Sequence, residues 1–227
     1  VQCGDVLHAC RARGKFRKDK ISPYAGDRVR IEVDANDEGY VQEILPRKNF
    51  LVRPPLANLD KLFVVSSVCD PQPSTLIIDK TIAAAELKGI KPVLVFTKTD
   101  LSDTTELKDI YGSIGIRCYF VSAADGVGVD DLRPELTGCI SAFTGNSGVG
   151  KSTLLNLLVP ELELATGETS KKLGRGRHTT RHVELYPVEG GYVADTPGFS
   201  TMDIERYELF RKEELPEGFR EFAPYLG

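Results

Sequence analysis

The sequence predicts an α/β protein: an open, largely parallel sheet with helical crossovers, preceded by a small all-β domain. Three observations predict it. Near-continuous apolar runs at 62–68 (LFVVSSV) and 92–98 (PVLVFTK) have the texture of strands buried on both faces of a parallel sheet. Segments with apolar residues at helical spacing alternate with such runs, as strand–crossover–strand units require. Residues 1–53, by contrast, carry only short alternating patterns broken by turn residues, the texture of a small antiparallel barrel.

Taken in order, strands are predicted at 6–10, 28–33 and 40–45, separated by turn clusters at 24–27 and 36–39. Arg53-Pro54-Pro55 then breaks the pattern and reads as a linker. Beyond the two apolar runs, CYFVSA (118–123), CISAFTG (139–145) and GYVADT (191–196) read as further buried strands. Helices are predicted at 76–88, 105–111, 128–135 and 151–158, the first stopping at Gly89. After Phe199 the chain turns helical, polar and acidic. The expected division is 1–53 for the all-β domain, 54–204 for the α/β domain and 205–227 for the start of a C-terminal region.

Composition narrows the function classes. A net charge of −4 argues against a general nucleic-acid coat protein, but the charge is segregated. Residues 11–20 (RARGKFRKDK) carry six basic residues against one acid, and 171–182 (KKLGRGRHTTRH) carry five and none. Segregation of this kind suggests a polyanionic partner touched at defined places. The five cysteines are scattered with no paired spacing, as in a reducing compartment. No apolar run approaches the roughly 20 residues of a bilayer span, so the expected location is the cytoplasm. The first residue is not Met, so the chain is expected to start inside a domain.

The strongest chemical signal is Gly145-Asn146-Ser147-Gly148-Val149-Gly150-Lys151-Ser152-Thr153, a complete G-x-x-x-x-G-K-[ST] match between an apolar strand and a helix. Its glycines let successive N–H groups face one concavity and hold phosphate oxygens. Lys151 is expected on the β- and γ-phosphates and Ser152 on Mg²⁺, with the helix N-terminus aimed at the same charge. Thr97-Lys98-Thr99-Asp100 supplies the choice of base. A carboxylate at Asp100 accepts from guanine N1–H and N2–H₂ together, a pair adenine does not offer, while the Lys98 stem covers the base. The usual GTPase form has Asn where this chain has Thr97. Val121-Ser122-Ala123-Ala124 follows the next strand, and its backbone N–H groups are expected at guanine O6. Asp195-Thr196-Pro197-Gly198 supplies a water-mediated Mg²⁺ ligand (Asp195) and a γ-phosphate amide (Gly198). Between them, Gly174-Arg175-Gly176-Arg177-His178-Thr179-Thr180-Arg181 reads as a switch loop in which Thr179 or Thr180, the latter preferred, closes over Mg²⁺ and the γ-phosphate.

These motifs define a guanine-nucleotide P-loop GTPase with its elements in circularly permuted order: base-reading loops first, Asp-x-x-Gly last. Sheet contacts are indifferent to where the chain is cut, so the site can still assemble. The order, the N-terminal β segment and the stretches CRARGKFRKDK with GDRV, LVRPPLANLD, LGRGRHTTRHVEL and GGYVADTPGFS closely resemble the YjeQ/RsgA family of circularly permuted, small-subunit-dependent GTPases. The resemblance covers nearly the whole chain. It implies an N-terminal OB-fold touching ribosomal RNA, GTP hydrolysis stimulated by the small ribosomal subunit, and a part in late maturation of that subunit. It also implies a C-terminal zinc domain, but no Cys/His cluster follows Phe219, so zinc is assigned to no residue here. The chain is expected to lack that domain and the first OB strand, and to be a monomer.

Hydrolysis is expected to be in-line attack of water on the γ-phosphate, with Lys151, Mg²⁺ and P-loop amides stabilising charge. Phe199 follows Gly198 where many GTPases place Gln, so slow intrinsic turnover is predicted. His178 is the local candidate for orienting the water. Arg11, Arg13, Lys15, Phe16, Arg17 and Lys18 are the expected RNA contacts, Phe16 as a stacking platform or else a core residue. A GTP-binding RNA scaffold with little hydrolysis and a permuted GTPase acting on another RNA particle are the competing readings; Asp100 argues against an ATP-using kinase.

Overall fold

Apolar residues in the first part of the chain come in short groups, and the strands they form are short. The computed structural model describes residues 1–14, 16, 21–35, 38–162, 164, 183–195 and 212–226. Within the unit Val1–Asn58, β1 (Gln2–Cys3) pairs antiparallel with β2 (Val6–Leu7). A three-stranded sheet follows, in which β3 (Cys10–Ala12) runs parallel to β5 (Gly39–Ile44) and β4 (Val29–Val33) pairs antiparallel on the other edge of β5. β6 (Phe50–Leu51) and β7 (Leu56–Ala57) close a last hairpin.

That hairpin corrects one expectation. Arg53-Pro54-Pro55 is its turn, not a linker, and the two units divide after Asn58. Leu51, Leu56 and Ala57 are buried. A hairpin that buries its apolar residues adds to a core, which a linker cannot do. The side chain of Asp27, in the GDRV stretch, is nearly inaccessible and takes both Nε and Nη2 of Arg47 at 2.7 Å. The Arg47 guanidinium also lies over Tyr24, 4.3 Å from the ring centroid. A bidentate, stacked pair of this kind is the geometry in which Arg is not replaceable by Lys.

The unit Leu59–Gly227 contains β8 (Lys61–Ser67), α1 (Thr75–Leu87), β9 (Lys91–Thr97), α2 (Thr105–Ser113), β10 (Cys118–Phe120), α3 (Arg133–Leu136), β11 (Ile140–Thr144), α4 (Lys151–Leu158), β12 (Glu184–Val188) and β13 (Gly191–Asp195). Short 3₁₀ turns lie at Asp130–Leu132, Pro160–Leu162, Lys212–Gly218 and Arg220–Tyr225. Six strands form one sheet in the order β10-β9-β8-β11-β13-β12, parallel except for β12. β12 is an addition to the expected strands. Pro187 in its middle disguises it, and the strand lies at the edge of the sheet, where a missing N–H is tolerated.

The core follows from the apolar runs. Phe63 of β8 and Phe143 of β11 stack at 4.4 Å between centroids, and Val65, Val93, Val95, Leu132, Leu136 and Leu154 pack in the same cluster. Each such side chain contributes about 1.5–3 kcal/mol by leaving water. One polar cluster ties the start of β8 to the strands beyond it. Glu135, 2% exposed, accepts from Lys61 Nζ at 2.6 Å and Tyr119 Oη at 2.8 Å, and pairs with Arg117. Burial pushes its carboxyl upward, but the hydrogen bonds from Lys61, Tyr119 and Arg117 outweigh it and hold the pKa at about 2.

Candidate nucleotide-binding site

Chain order along the sheet locates the site. From β8 the chain moves outward through β9 to β10, then returns to β11 on the other side of β8 and continues to β13. The carboxyl ends of β8 and β11 therefore face a point where strand order reverses, the place where open α/β sheets bind ligands. The loops after β8, β9, β10 and β11, and the end of β13, all lie on this edge.

The P-loop occupies the turn from β11 into α4. Gly145 is demanded by close approach, since a Cβ there would stand 2.3 Å from the Val65 carbonyl oxygen. Gly148 (φ 82°) and Gly150 (φ 85°) take left-handed backbone that other residues rarely adopt. The result is a loop whose amides turn outward. Among the described residues, the N–H groups of Ser147, Gly148, Val149 and Gly150 have no backbone acceptor. Four successive donors next to the first turn of a helix form an anion-binding concavity. Lys151 Nζ lies over the same loop, 3.4 Å from the Gly145 carbonyl oxygen. Asn146 is half-buried, and Ser152 and Thr153 open α4, half-buried and exposed respectively.

The two loops expected to read the base are brought to the same edge. Thr97 ends β9, 2% exposed, with its hydroxyl on the Val149 carbonyl oxygen at 2.5 Å and on that of Ser66 at 3.3 Å. Lys98 (φ 61°) reaches the Asp70 carbonyl oxygen with its ammonium. The Thr99 amide donates to Val121 O at 3.4 Å, which joins the two base-reading loops, and Asp100 is exposed. After β10, the Ser122 hydroxyl donates to Asp125 Oδ2 at 3.0 Å and accepts from the Asp125 amide at 3.3 Å. The amides of Val121 and Ser122 are occupied by Phe96 O and Val127 O. Of this stretch, Ala123 and Ala124 keep amides without a backbone acceptor among the described residues. Ser122, through its hydroxyl, shapes the turn that presents these two amides.

One participant was not legible in the motifs. The loop at 68–74 follows β8, takes the Lys98 ammonium on Asp70, and brings Pro71 against Gly148, where an added Cβ would meet Pro71 Cδ at 3.7 Å. Pro71, Gln72, Asn146 and Val149 line a cleft of about 20 Å³ between this loop and the P-loop. Ser67 Oγ anchors the loop through the Pro71 carbonyl oxygen at 2.5 Å. The dipeptide Asp70-Pro71 signals a turn and nothing more specific, so position alone reveals its part.

Asp195 ends β13, the strand next to β11. His178, Thr179, Thr180 and Gly198 lie outside the described residues, as do Lys15, Arg17 and Lys18. Arg11 is exposed on β3, and Arg13 Nη2 donates to Glu32 at 2.7 Å on the surface. Phe16 is a correction. It is 6% exposed, within the core of its unit, and a buried ring offers no face for a base to stack on.

Magnesium fits the donor set. Ser152 places a hydroxyl at the first turn of α4, and the adjacent strand ends on the carboxylate residue Asp195, both hard oxygen ligands. Among the described residues no group of three or more His, Cys, Asp or Glu could hold a metal ion, and no helix is long and apolar enough to cross a membrane.

A P-loop at the sheet's switch point, a Lys-x-Asp loop beside it and an Asp-x-x-Gly motif last in sequence order define a GTPase of circularly permuted order. Comparison with known proteins agrees. Residues 1–41 match the RsgA N-terminal domain and residues 44–205 the RsgA GTPase domain. The small ribosomal subunit biogenesis GTPase RsgA of Caldanaerobacter subterraneus subsp. tengcongensis is 47% identical over 220 residues, covering 95% of this chain and 73% of its own. The RsgA of Enterococcus faecalis is 49% identical over 230 residues, covering 98% and 75%. Among solved structures, YloQ, described as a circularly permuted GTPase, superposes with a TM-score of 0.76 at 36% identity, covering 97% of this chain and 72% of its own. YjeQ from Thermotoga maritima gives 0.71 at 34%, covering 96% and 73%. The chain belongs to the RsgA GTPase family, and it is a GTP-hydrolysing enzyme that binds guanine nucleotide with Mg²⁺.

Proposed function

We propose that the chain hydrolyses GTP in the biogenesis of the small ribosomal subunit, contacting that subunit and its rRNA as a cytoplasmic monomer. The names of the relatives support the partner, and the four P-loop amides beside Lys151, which have no backbone acceptor among the described residues, are the observation that carries the chemistry. In this reading, Lys151 and the amides at 147–150 hold the β- and γ-phosphates, with Asn146 and Thr153 flanking them. Asp100 reads the guanine edge, Lys98 covers the base, and the backbone of Thr99 joins the two reading loops. Ser152, Asp195 and Thr180 (or Thr179) hold Mg²⁺, and the Gly198 amide meets the γ-phosphate. Mg²⁺, when bound, would supply charge neutralisation at the phosphates.

The protein's own contribution is positioning and charge. Donors fixed before the reaction are worth several kcal/mol at the developing negative charge, because they need not reorganise. His178 orients the attacking water, a role that Phe199, next to Gly198, has no polar atom to fill. Arg11, Arg13, Lys15, Arg17 and Lys18 meet rRNA phosphates, a use of surface cations that salt screens.

Steady-state turnover with and without purified small subunits tests this, using large subunits and ATP as controls. GTP hydrolysis raised by the small subunit alone is the expected result. Equal stimulation by large subunits would point to another RNA particle. Tight GTP binding with a flat rate would point to a scaffold.

A further inference from the structure

The third position before Asp100 is where the sequence first suggested a contact to the base, and the structure gives Thr97 a different task. We infer that Thr97 is a positioning residue that clamps the P-loop, and that this protein reads guanine without a hydrogen bond to N7. The inference rests on the guanine reading given above.

The argument is one of proton accounting. A threonine hydroxyl has a single proton to donate. Both of the atoms that Thr97 Oγ1 contacts, the carbonyl oxygens of Val149 at 2.5 Å and Ser66 at 3.3 Å, are acceptors. Whichever takes the proton, none is left. Guanine N7 is itself an acceptor, so it can only be met by a donor. The side chain is also 2% exposed, at the end of β9 beneath Val149, and a Cβ built on Gly150 would lie 3.7 Å from its hydroxyl. Thr97 therefore packs under the two residues that close the P-loop turn. A carboxamide at this position has two N–H donors and could serve a carbonyl and a base together; a hydroxyl serves one.

The consequence for recognition is specific. Among the described residues, the donors and acceptors that remain for the base are the Asp100 carboxylate for N1–H and N2–H₂ and the Ala123 and Ala124 amides for O6. N7 is left to solvent. The consequence for the phosphates is indirect: the clamp fixes the carbonyl of Val149, so the amides on either side of it face the anion.

Calorimetric titration of the chain with GDP, 7-deaza-GDP and ADP decides the matter, in the unaltered protein, Thr97→Val and Thr97→Ser. In 7-deaza-GDP a C–H replaces N7, removing that acceptor alone. The unaltered protein is expected to bind GDP and 7-deaza-GDP equally, within about twofold. Thr97→Val should weaken both by the same factor, about tenfold for one lost buried hydrogen bond, and Thr97→Ser should restore both. GDP binding at least about tenfold tighter than 7-deaza-GDP would put a donor on N7 and overturn the inference. So would Thr97→Val binding both as the unaltered protein does. Should Thr97→Val not fold, the GDP to 7-deaza-GDP ratio of the unaltered protein decides alone. ADP binding as tightly as GDP would instead overturn the guanine reading, and leaves the clamp to be judged by the Val and Ser variants.

Discussion

Asp100 is exposed at the edge of the sheet, and the role proposed for it rests on what a carboxylate does for a base. Two hydrogen bonds to a charged acceptor are worth about 1.5–3 kcal/mol each, so their loss reaches a hundredfold or more in affinity. Asp100→Asn is predicted to weaken GTP by at least about that factor while improving xanthosine triphosphate, whose C2 oxygen accepts from the new amide. Competition binding with both nucleotides checks it; an Asn variant with unchanged preference would remove Asp100 from the base. Residue-level reading proposes this role for Asp100 because the motif encodes the chemistry directly. It placed Phe16 badly. An aromatic residue among cations is compatible with a stacking platform or a core, and only burial separates the two.

The α3 helix shows what an element contributes beyond its own length. With only four residues, Arg133–Leu136, it gains little from backbone cooperativity. Glu135 attaches it to Lys61 of β8 and Tyr119 of β10, and that attachment titrates. The carboxyl's folded pKa, about 2, is depressed below its ordinary value of 4.5. The stability it confers is therefore present above pH 4.5 and is lost as pH falls from there toward 2. Depression of that size corresponds to about 3 kcal/mol at neutral pH. Glu135→Gln, which leaves Lys61 and Arg117 facing a neutral amide, is predicted to destabilise the α/β unit by about 2–4 kcal/mol at pH 7. The difference from the unaltered protein should shrink below pH 4. Urea unfolding at pH 7 and pH 3.5 measures both; equal differences at the two pH values would deny Glu135 this role.

At the scale of the whole molecule, the permuted order gives the last strand a direct covalent path to the C-terminal segment. The chain leaves β13 at Asp195 and is next described at Lys212–Gly218, packed on α1, where a Cβ on Gly218 would stand 2.8 Å from the Ala83 carbonyl oxygen. Arg220 then pairs with Glu86 at 2.5 Å and donates to Gly115 O at 3.2 Å. These contacts fasten the segment to the crossovers that flank β9, the strand carrying the base-reading loop. A change of nucleotide is therefore predicted to register there. Hydrogen exchange over 212–226 should differ between the GDP-bound protein and that bound to a non-hydrolysable GTP analogue. Identical exchange in the two states would sever the link.

Much of this organisation was legible in the sequence. Apolar runs mark strands buried on two faces because such strands have no polar side to conserve, and β8, β9 and β11 follow them closely. The P-loop declared itself because its glycines answer a backbone demand: Gly145 must pass 2.3 Å, by Cβ, from the Val65 carbonyl oxygen. Motif order alone disclosed the permutation, since order is a property of the chain. What the tertiary structure decided is where hydrogen bonds are already spent. The sequence cannot show that the Thr97 hydroxyl is held by the carbonyls of Val149 and Ser66, that the amides of Val121 and Ser122 are taken by Phe96 and Val127, or that Asp70 and Pro71 stand beside the P-loop. Thr97 and Val149 lie fifty-two residues apart in the chain, Pro71 and Gly148 further still, and they meet only because neighbouring strands end at one edge. Local patterns encode what each residue can do; long-range packing determines which of those capacities remain free for a ligand.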